Sequence, residues 1–359
     1  MLAAAGEGAT PSAAAAELSA GIPFGDDDFL ARRSSAVYVD LLRMLEGHSP
    51  AATALLRALD GAGGRDTVVH DPLVRRTIED GVCSALRGLD AIDLATLDEV
   101  LDCAVAAADA QKSKVLDATA RCIALGPGSS GACVWADPEP ATVAGRRFVH
   151  EVVRRLPGFR IEVPTDAQIR DLEAGRQMAL DVAPNLARSA FSHLRTVILG
   201  DFPHAPMNAL TVPGLPAVVL LSPGALTGGS AAVAETLLHE SVHLKFLDIE
   251  YVTPLFPVGF RPYNSPRITP VWHENNPQFG GWPLDRLLTS LHVYTSLAAF
   301  FGVAADRQDD DFLSRDDCLA RVEKSRMRAA WLLGASRDHL EHFSPSGREF
   351  VAWIGTMLE

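Results

Sequence analysis

The chain has 359 residues, 48% hydrophobic, 21% charged and 7% aromatic, proportions of a globular protein and not of a disordered or fibrous one. That length suits two domains of roughly 100–200 residues or one elaborated domain. Thirty-two basic against 45 acidic residues leave a net charge of −13, the opposite of a protein that collects phosphates, so nucleic acid is not an expected partner.

The opening segment MLAAAGEGATPSAAAAELSAG is apolar but has no basic start and is interrupted by Glu7, Pro11 and Glu17. It does not read as a secretory signal, and residues 1–25 are expected to be a flexible tail. From 26 to 125 the pattern is helical. Val37, Leu41, Leu42 and Leu45 recur at three- and four-residue steps, as do Leu94, Leu97, Val100, Leu101 and Ala104. In HDPLVRRTIEDGV, Asp71 followed by Pro72 marks a helix start. Nothing in this block looks catalytic. The Gly-, Pro- and Ser-rich stretch 126–145 reads as a linker to a second domain over 146–359.

In that second domain a helix is expected around Ala167 to Met178, then β-branched runs at Arg195 to Leu199 and Ala217 to Leu221 as adjacent strands. A long helix follows from Ser230 to about Glu250, then a Pro- and Asn-rich loop over 254–283, a helix from Leu284 to Phe301, and amphipathic helices from about Asp311. The fold class is α+β and predominantly helical: a helical N-terminal domain, and a metal-site domain whose small sheet packs on the long helix. The five cysteines (Cys83, Cys103, Cys122, Cys133, Cys318) form no CxxC pair. They are expected to be reduced, mostly buried thiols of a cytoplasmic protein. No run approaches the roughly 18 apolar residues of a membrane span, so no membrane association is expected.

The chemistry is concentrated in LLHESVHLKF, which contains His239-Glu240-Ser241-Val242-His243. Residues i and i+4 on a helix share a face, so both imidazoles can converge on one divalent metal ion. Val233, Leu237, Leu238, Val242, Leu244, Phe246 and Leu247 surround the pair. The helix is therefore expected to be buried, where imidazoles need partners. Phe246 and Ile249 stand where a metzincin would have Gly and His, which excludes that class. A third ligand is less plain. Glu250, Glu274 and Asp285 stand in no convincing frame, whereas His292 lies on an apolar helix that otherwise has no use for it; a core histidine bonded to a backbone carbonyl is the alternative.

The order of HDPLVRRTI, PGLPAVVLLSP, AETLLHESVHLKFL, a Trp/Arg/Pro-bearing loop and LHVYTSLAAFF resembles the HExxH-motif peptide-modification proteins, the 2-oxoglutarate-dependent HExxH-type peptide β-hydroxylases of ribosomal-peptide clusters. Where that family carries a Trp-Arg pair before the third-ligand helix, this chain has Trp272-His273 and Trp282-Pro283-Leu284-Asp285-Arg286, with Arg261-Pro262 further upstream. The resemblance implies Fe(II) held by His239, His243 and His292, 2-oxoglutarate as cosubstrate, and a ribosomally made precursor peptide as partner. It implies an arginine for the distal carboxylate of the cosubstrate: Arg286 first, then Arg267 and Arg261. Glu240 would order the site or position substrate, and Trp272 and Trp282 would line a peptide groove. The alternative is a zinc metallopeptidase that uses Glu240 as general base on a Zn(II)-bound water. Oligomeric state is not legible in the sequence.

Overall fold

A computed structural model describes residues 10–61, 68–88, 92–110, 115, 122–125, 131–203, 207–274, 280–307 and 312–358. Residues 1–9 of the expected tail, 126–130 of the expected linker and 275–279 of the loop lie outside them. The elements run α1 (Pro11–Ala20), α2 (Asp27–Leu45), α3 (Pro50–Gly61), α4 (Pro72–Arg87), α5 (Leu94–Asp109), β1 (Cys122–Ala124), β2 (Cys133–Trp135), α6 (Val143–Arg155) and β3 (Arg160–Ile161). They continue with α7 (Asp166–Val182), α8 (Pro184–Ser192), β4 (Thr196–Asp201), β5 (Ala209–Thr211), β6 (Val218–Leu221), α9 (Gly229–Val252), α10 (Leu284–Arg307), α11 (Arg315–Arg337) and α12 (Pro345–Leu358). The fold is α+β and predominantly helical.

The chain divides into two units that interleave along the sequence. One, the sheet unit, comprises residues 28–175 and 191–236; the other, the motif unit, comprises 1–27, 176–190 and 237–359. This differs from the expected boundary at 126–145. Helices α7 and α9 each run on from the sheet unit into the motif unit; α9 has no breaker at its division, and in α7 the single Gly175 stands inside continuous helix, where one glycine does not end a helical pattern.

In the sheet unit the strands lie in the order β1-β2-β4-β6-β5, and β3 pairs with the end of β4. The centre is parallel, with Thr196 opposite Val218 and Cys133 opposite Thr196, and the outer strands β1 and β5 are antiparallel. Every residue of β2 and β6 is buried, as expected for parallel strands covered on both faces, which read as continuous apolar runs. Strand β2 falls within the stretch expected to be a linker. Its three residues are too short to carry a period, and the surrounding Gly and Pro mask it. The helix start in HDPLVRRTI is real: the Asp71 carboxylate accepts from the backbone N–H groups of Leu73 and Val74 at 2.9 and 3.2 Å. Downstream of it Asp80 and Glu151 are buried and neutralised by Arg76, Arg147 and Arg154.

In the motif unit residues 10–27 are not a tail. Thr10 caps α1 by accepting from Ala13 N at 3.2 Å, with Pro11 in the first turn. The helix buries Ala14, Ala15 and Leu18, and Phe24 after it packs at 5.2 Å from the Phe350 ring. Alanine-rich sequence gives little contrast between faces, so the docking is not visible as a period. Helix α10 is long and apolar enough to cross a membrane, but 83% of its most apolar window is buried inside the protein, as in a core helix. All five cysteines are free, two of them buried and three part-exposed.

Candidate metal centre

Helix α9 has no Gly or Pro after its first two residues, so the HExxH segment sits in continuous helix. One turn apart on one face, His239 and His243 bring their Nε2 atoms to 3.2 Å. That is a hydrogen-bond distance if one nitrogen carries a proton. It is also the separation of two donors sharing an ion at about 2.0–2.1 Å from each, with an angle of about 100° at the ion. The Nδ1 of His243 is hydrogen-bonded to the Thr289 hydroxyl of α10 at 2.8 Å, which fixes the ring and leaves Nε2 directed at its partner.

Partial burial, the largest influence, holds His239 below the ordinary histidine range; the Glu240 carboxylate opposes it and the Arg328 charge adds to it. His243 is held well below that range, first by burial and then by His239, Arg286 and His292. Both imidazoles are thus neutral near pH 7, the form that offers a lone pair to a metal. The His239 side chain keeps 32% of its surface exposed, so the pair can be approached from solvent. Glu240 is buried, with Oε1 4.0 Å from His239 Nε2.

His292 is buried as expected, but in an aromatic setting, with ring centroids of Phe350, Trp353 and Phe246 at 5.8, 6.2 and 6.4 Å. Among the described residues no third His, Cys, Asp or Glu joins His239 and His243 in a set whose ligand atoms all lie within 4.8 Å of one another. Within that distance His292 does not join the pair, although its charge acts on His243. Thr289 of α10 hydrogen-bonds the motif, and His292, three positions on, is rotated about 60° from it and lies about 4.5 Å further along the axis. Glu274 is exposed. Glu250 and Asp285 interact instead: burial pushes the Glu250 carboxyl up to about 7, with the Asp285 charge adding. Asp285 is raised by burial against the opposing effects of backbone N–H groups, Arg267 and Arg286.

Of the three expected arginines, Arg286 lies close enough for its charge to act on His243, and its guanidinium stands 5.3 Å from the Trp282 ring centroid. Arg267 is exposed and acts on Asp285. Arg261 turns back on its own loop, donating to Phe260 O at 3.1 Å. A fourth arginine was not foreseen. Arg328 of α11 donates to the Tyr294 hydroxyl at 2.7 Å, lies 5.0 and 5.1 Å from the Trp272 and Tyr294 ring centroids, and exerts its charge on His239. Trp272 packs edge-on to Trp331, Trp282 and Tyr294 at 5.5, 6.0 and 6.1 Å. The two expected tryptophans thus belong to one aromatic cluster that carries both cations. In the sequence, Arg328 is one arginine among several on a charged helix; only its spacing of three from Trp331 hints at a shared face.

A scan against models of known protein families finds no match to this chain, and a search of curated proteins finds no relative.

Proposed function

We propose that this chain is an iron(II)- and 2-oxoglutarate-dependent oxygenase that hydroxylates a side-chain β-carbon of a ribosomally synthesised peptide in the cytoplasm. The observation that carries the reading is the neutral His239–His243 pair, with Nε2 atoms 3.2 Å apart, together with Arg286 and Arg328, whose charges act on it. Two imidazoles suit a borderline divalent ion, and the Arg328 charge acting on His239 and the Arg286 charge acting on His243 leave cations at hand for an anionic chelator, with the Glu240 carboxylate opposing them on the His239 side. A dicarboxylic keto acid answers both features, chelating at one end and meeting a guanidinium at the other.

When bound, iron supplies the one-electron chemistry with O2 that an unactivated C–H bond requires. The residues of this chain do the rest. His239 and His243 hold the ion, and Thr289 keeps the His243 ring in place. Arg328 and Arg286 bind and orient the carboxylate of the cosubstrate, while Trp272 and Trp282 offer flat apolar surface to the precursor peptide. Glu240 orients groups beside His239.

One observation favours a second reading. The Glu240 carboxylate, 4.0 Å from His239 Nε2, stands where a zinc metallopeptidase keeps its general base. Assays with anaerobically purified protein separate the two. Iron-loaded protein should release succinate from 2-oxoglutarate and consume O2 when given a substrate peptide, and His239→Ala/His243→Ala protein should do neither. Zinc-dependent peptide cleavage without O2 and without succinate would reject the oxygenase in favour of the peptidase.

A further inference from the structure

Away from the motif, the turn between α11 and α12 gathers His339, Glu341 and His342 so that their ligand atoms all lie within 4.8 Å of one another. We propose that this turn is a second metal site, one that takes a divalent transition ion of the zinc class through two imidazoles and a carboxylate.

The local backbone explains the grouping. Residues Leu340–His342 form a turn of 3-10 helix entered from His339, and in that geometry side chains three apart lie one above the other. His339 and His342 are such a pair, with ring centroids 5.9 Å apart. Glu341 Oε1 is 3.4 Å from His342 Nε2, close to the roughly 3.3 Å between two donors of a tetrahedral ion with bonds of about 2.0 Å. Among the described residues no Lys or Arg forms an ion pair with Glu341, so the carboxylate is not already committed to a permanent cation.

The turn is also held. His342 N donates to His339 O at 3.0 Å, Phe343 N to Leu340 O at 3.2 Å and Arg348 Nε to Leu340 O at 3.0 Å. Phe343, next in the chain, is buried with its ring 5.6 Å from Phe256, and Ser344 N donates to Leu255 O at 3.0 Å. A Cβ on Gly347 would meet Leu255 O at 2.1 Å, so the chain here can approach Leu255 only with glycine at that position. The donors thus stand on a fixed backbone, and only side-chain torsions remain to be set on binding. The side chains of His342 and Glu341 are 43% and 67% exposed. An ion can therefore reach them, and water can complete its coordination. Imidazole nitrogen selects zinc, nickel or copper over magnesium and calcium, which prefer oxygen donors.

The test is zinc chloride alone, in equilibrium dialysis against the chelator-stripped full chain near neutral pH. Wild type should hold about two zinc ions per chain, His239→Ala/His243→Ala about one, His339→Ala/His342→Ala about one, and the quadruple variant none. In the His239→Ala/His243→Ala background, Glu341→Gln should weaken the remaining ion by about tenfold or more. The two claims fail separately. If the motif does not bind, wild type holds one ion that survives His239→Ala/His243→Ala and is lost in His339→Ala/His342→Ala. If His339→Ala/His342→Ala protein holds as much zinc as wild type, or if folded His239→Ala/His243→Ala protein holds none, the second site does not exist and Glu341 is only a partner of His342. Because Glu341 and His342 are exposed, His339 is part-exposed and the backbone bonds are unaffected by alanine, circular dichroism should show the His339, Glu341 and His342 variants folded.

Discussion

Arg286 and Arg328 both act on the histidine pair, yet they are held differently, and the difference sets what each contributes. Arg286 is exposed and has one aromatic neighbour, Trp282. Arg328 lies between Trp272 and Tyr294 and donates to the Tyr294 hydroxyl, so its fork is already oriented and loses less freedom on meeting a carboxylate. A charge-assisted bidentate contact contributes about 1.5–3 kcal/mol, so Arg328→Ala should raise the dissociation constant of 2-oxoglutarate about 10- to 150-fold, with metal content kept. Arg286→Ala should raise it less, and Arg328→Lys should not restore it, since lysine has no fork. Titration of iron-loaded protein measures all three; unchanged affinity in both alanine variants would remove the cosubstrate assignment. At this scale the sequence shows what spacing alone determines. His239 and His243 are a turn apart whatever the helix packs on, whereas Thr289 and Arg328 reach them only because α9, α10 and α11 come together, and nothing local to either residue records that. His292 was legible as a buried imidazole, but not as one surrounded by Phe246, Phe350 and Trp353.

Helices α9 and α10 meet through more than the motif. Two carboxylates, Glu250 near the end of one and Asp285 at the start of the other, are partly buried together, and Glu250 is pushed up to about 7 by burial first and Asp285 second. In the unfolded chain its carboxyl titrates near the ordinary 4.5. The folded protein therefore favours the protonated form. Its contribution is fully present below about pH 4.5 and is lost as the pH rises through 7, when the buried carboxylate must ionise beside Asp285. The loss is on the order of 3 kcal/mol or less, since one pKa unit corresponds to about 1.4 kcal/mol. Glu250→Gln should be the more stable protein at pH 8 and nearly equal to wild type at pH 4.5, measured as a difference between denaturant titrations at each pH. A difference that does not grow with pH would show that Glu250 is solvated and ordinary. The helices themselves were readable in outline: α9 was expected from Ser230 and α10 from Leu284, and they begin at Gly229 and Leu284. Their start signals are local. Strand β2 was not readable, because Cys133–Trp135 becomes a strand only by lying beside Thr196, Val197 and Ile198, which are supplied from far along the chain.

At the scale of the whole molecule the N-terminal segment belongs to the unit that carries the motif, and Lys245 is a polar tie between them, beside the apolar contact of Phe24 with Phe350. Lys245 follows His243 by two positions, so it points away from the metal face of α9. Its ammonium is buried and shares its three N–H groups among four acceptors, the carbonyls of Leu18 and Gly25 at 2.9 and 2.7 Å, Asp27 Oδ1 at 3.0 Å and the Ser189 hydroxyl at 2.5 Å. Burial holds its pKa down while Asp27 and Asp26 oppose that effect. One charge on the motif helix thus fastens residues 18–27 and α8 within the same unit. Lys245→Met keeps the length of the stem but leaves two carbonyls and a carboxylate facing an apolar tip. Removing one member of a buried pair costs about 3–5 kcal/mol, and here the lower end applies because the Asp27 side chain retains 26% of its exposure and can turn to water. The cost falls on the contact between the segment and α9, so the segment should loosen before the unit unfolds. Limited proteolysis should then cut within residues 18–27 of Lys245→Met protein under conditions where wild type is resistant, and Lys245→Met/Asp27→Asn should recover part of the protection because no unpaired carboxylate remains. Cleavage at equal rates in wild type and Lys245→Met would mean that α1 and Phe24 hold the segment by apolar packing alone and that the ammonium is dispensable.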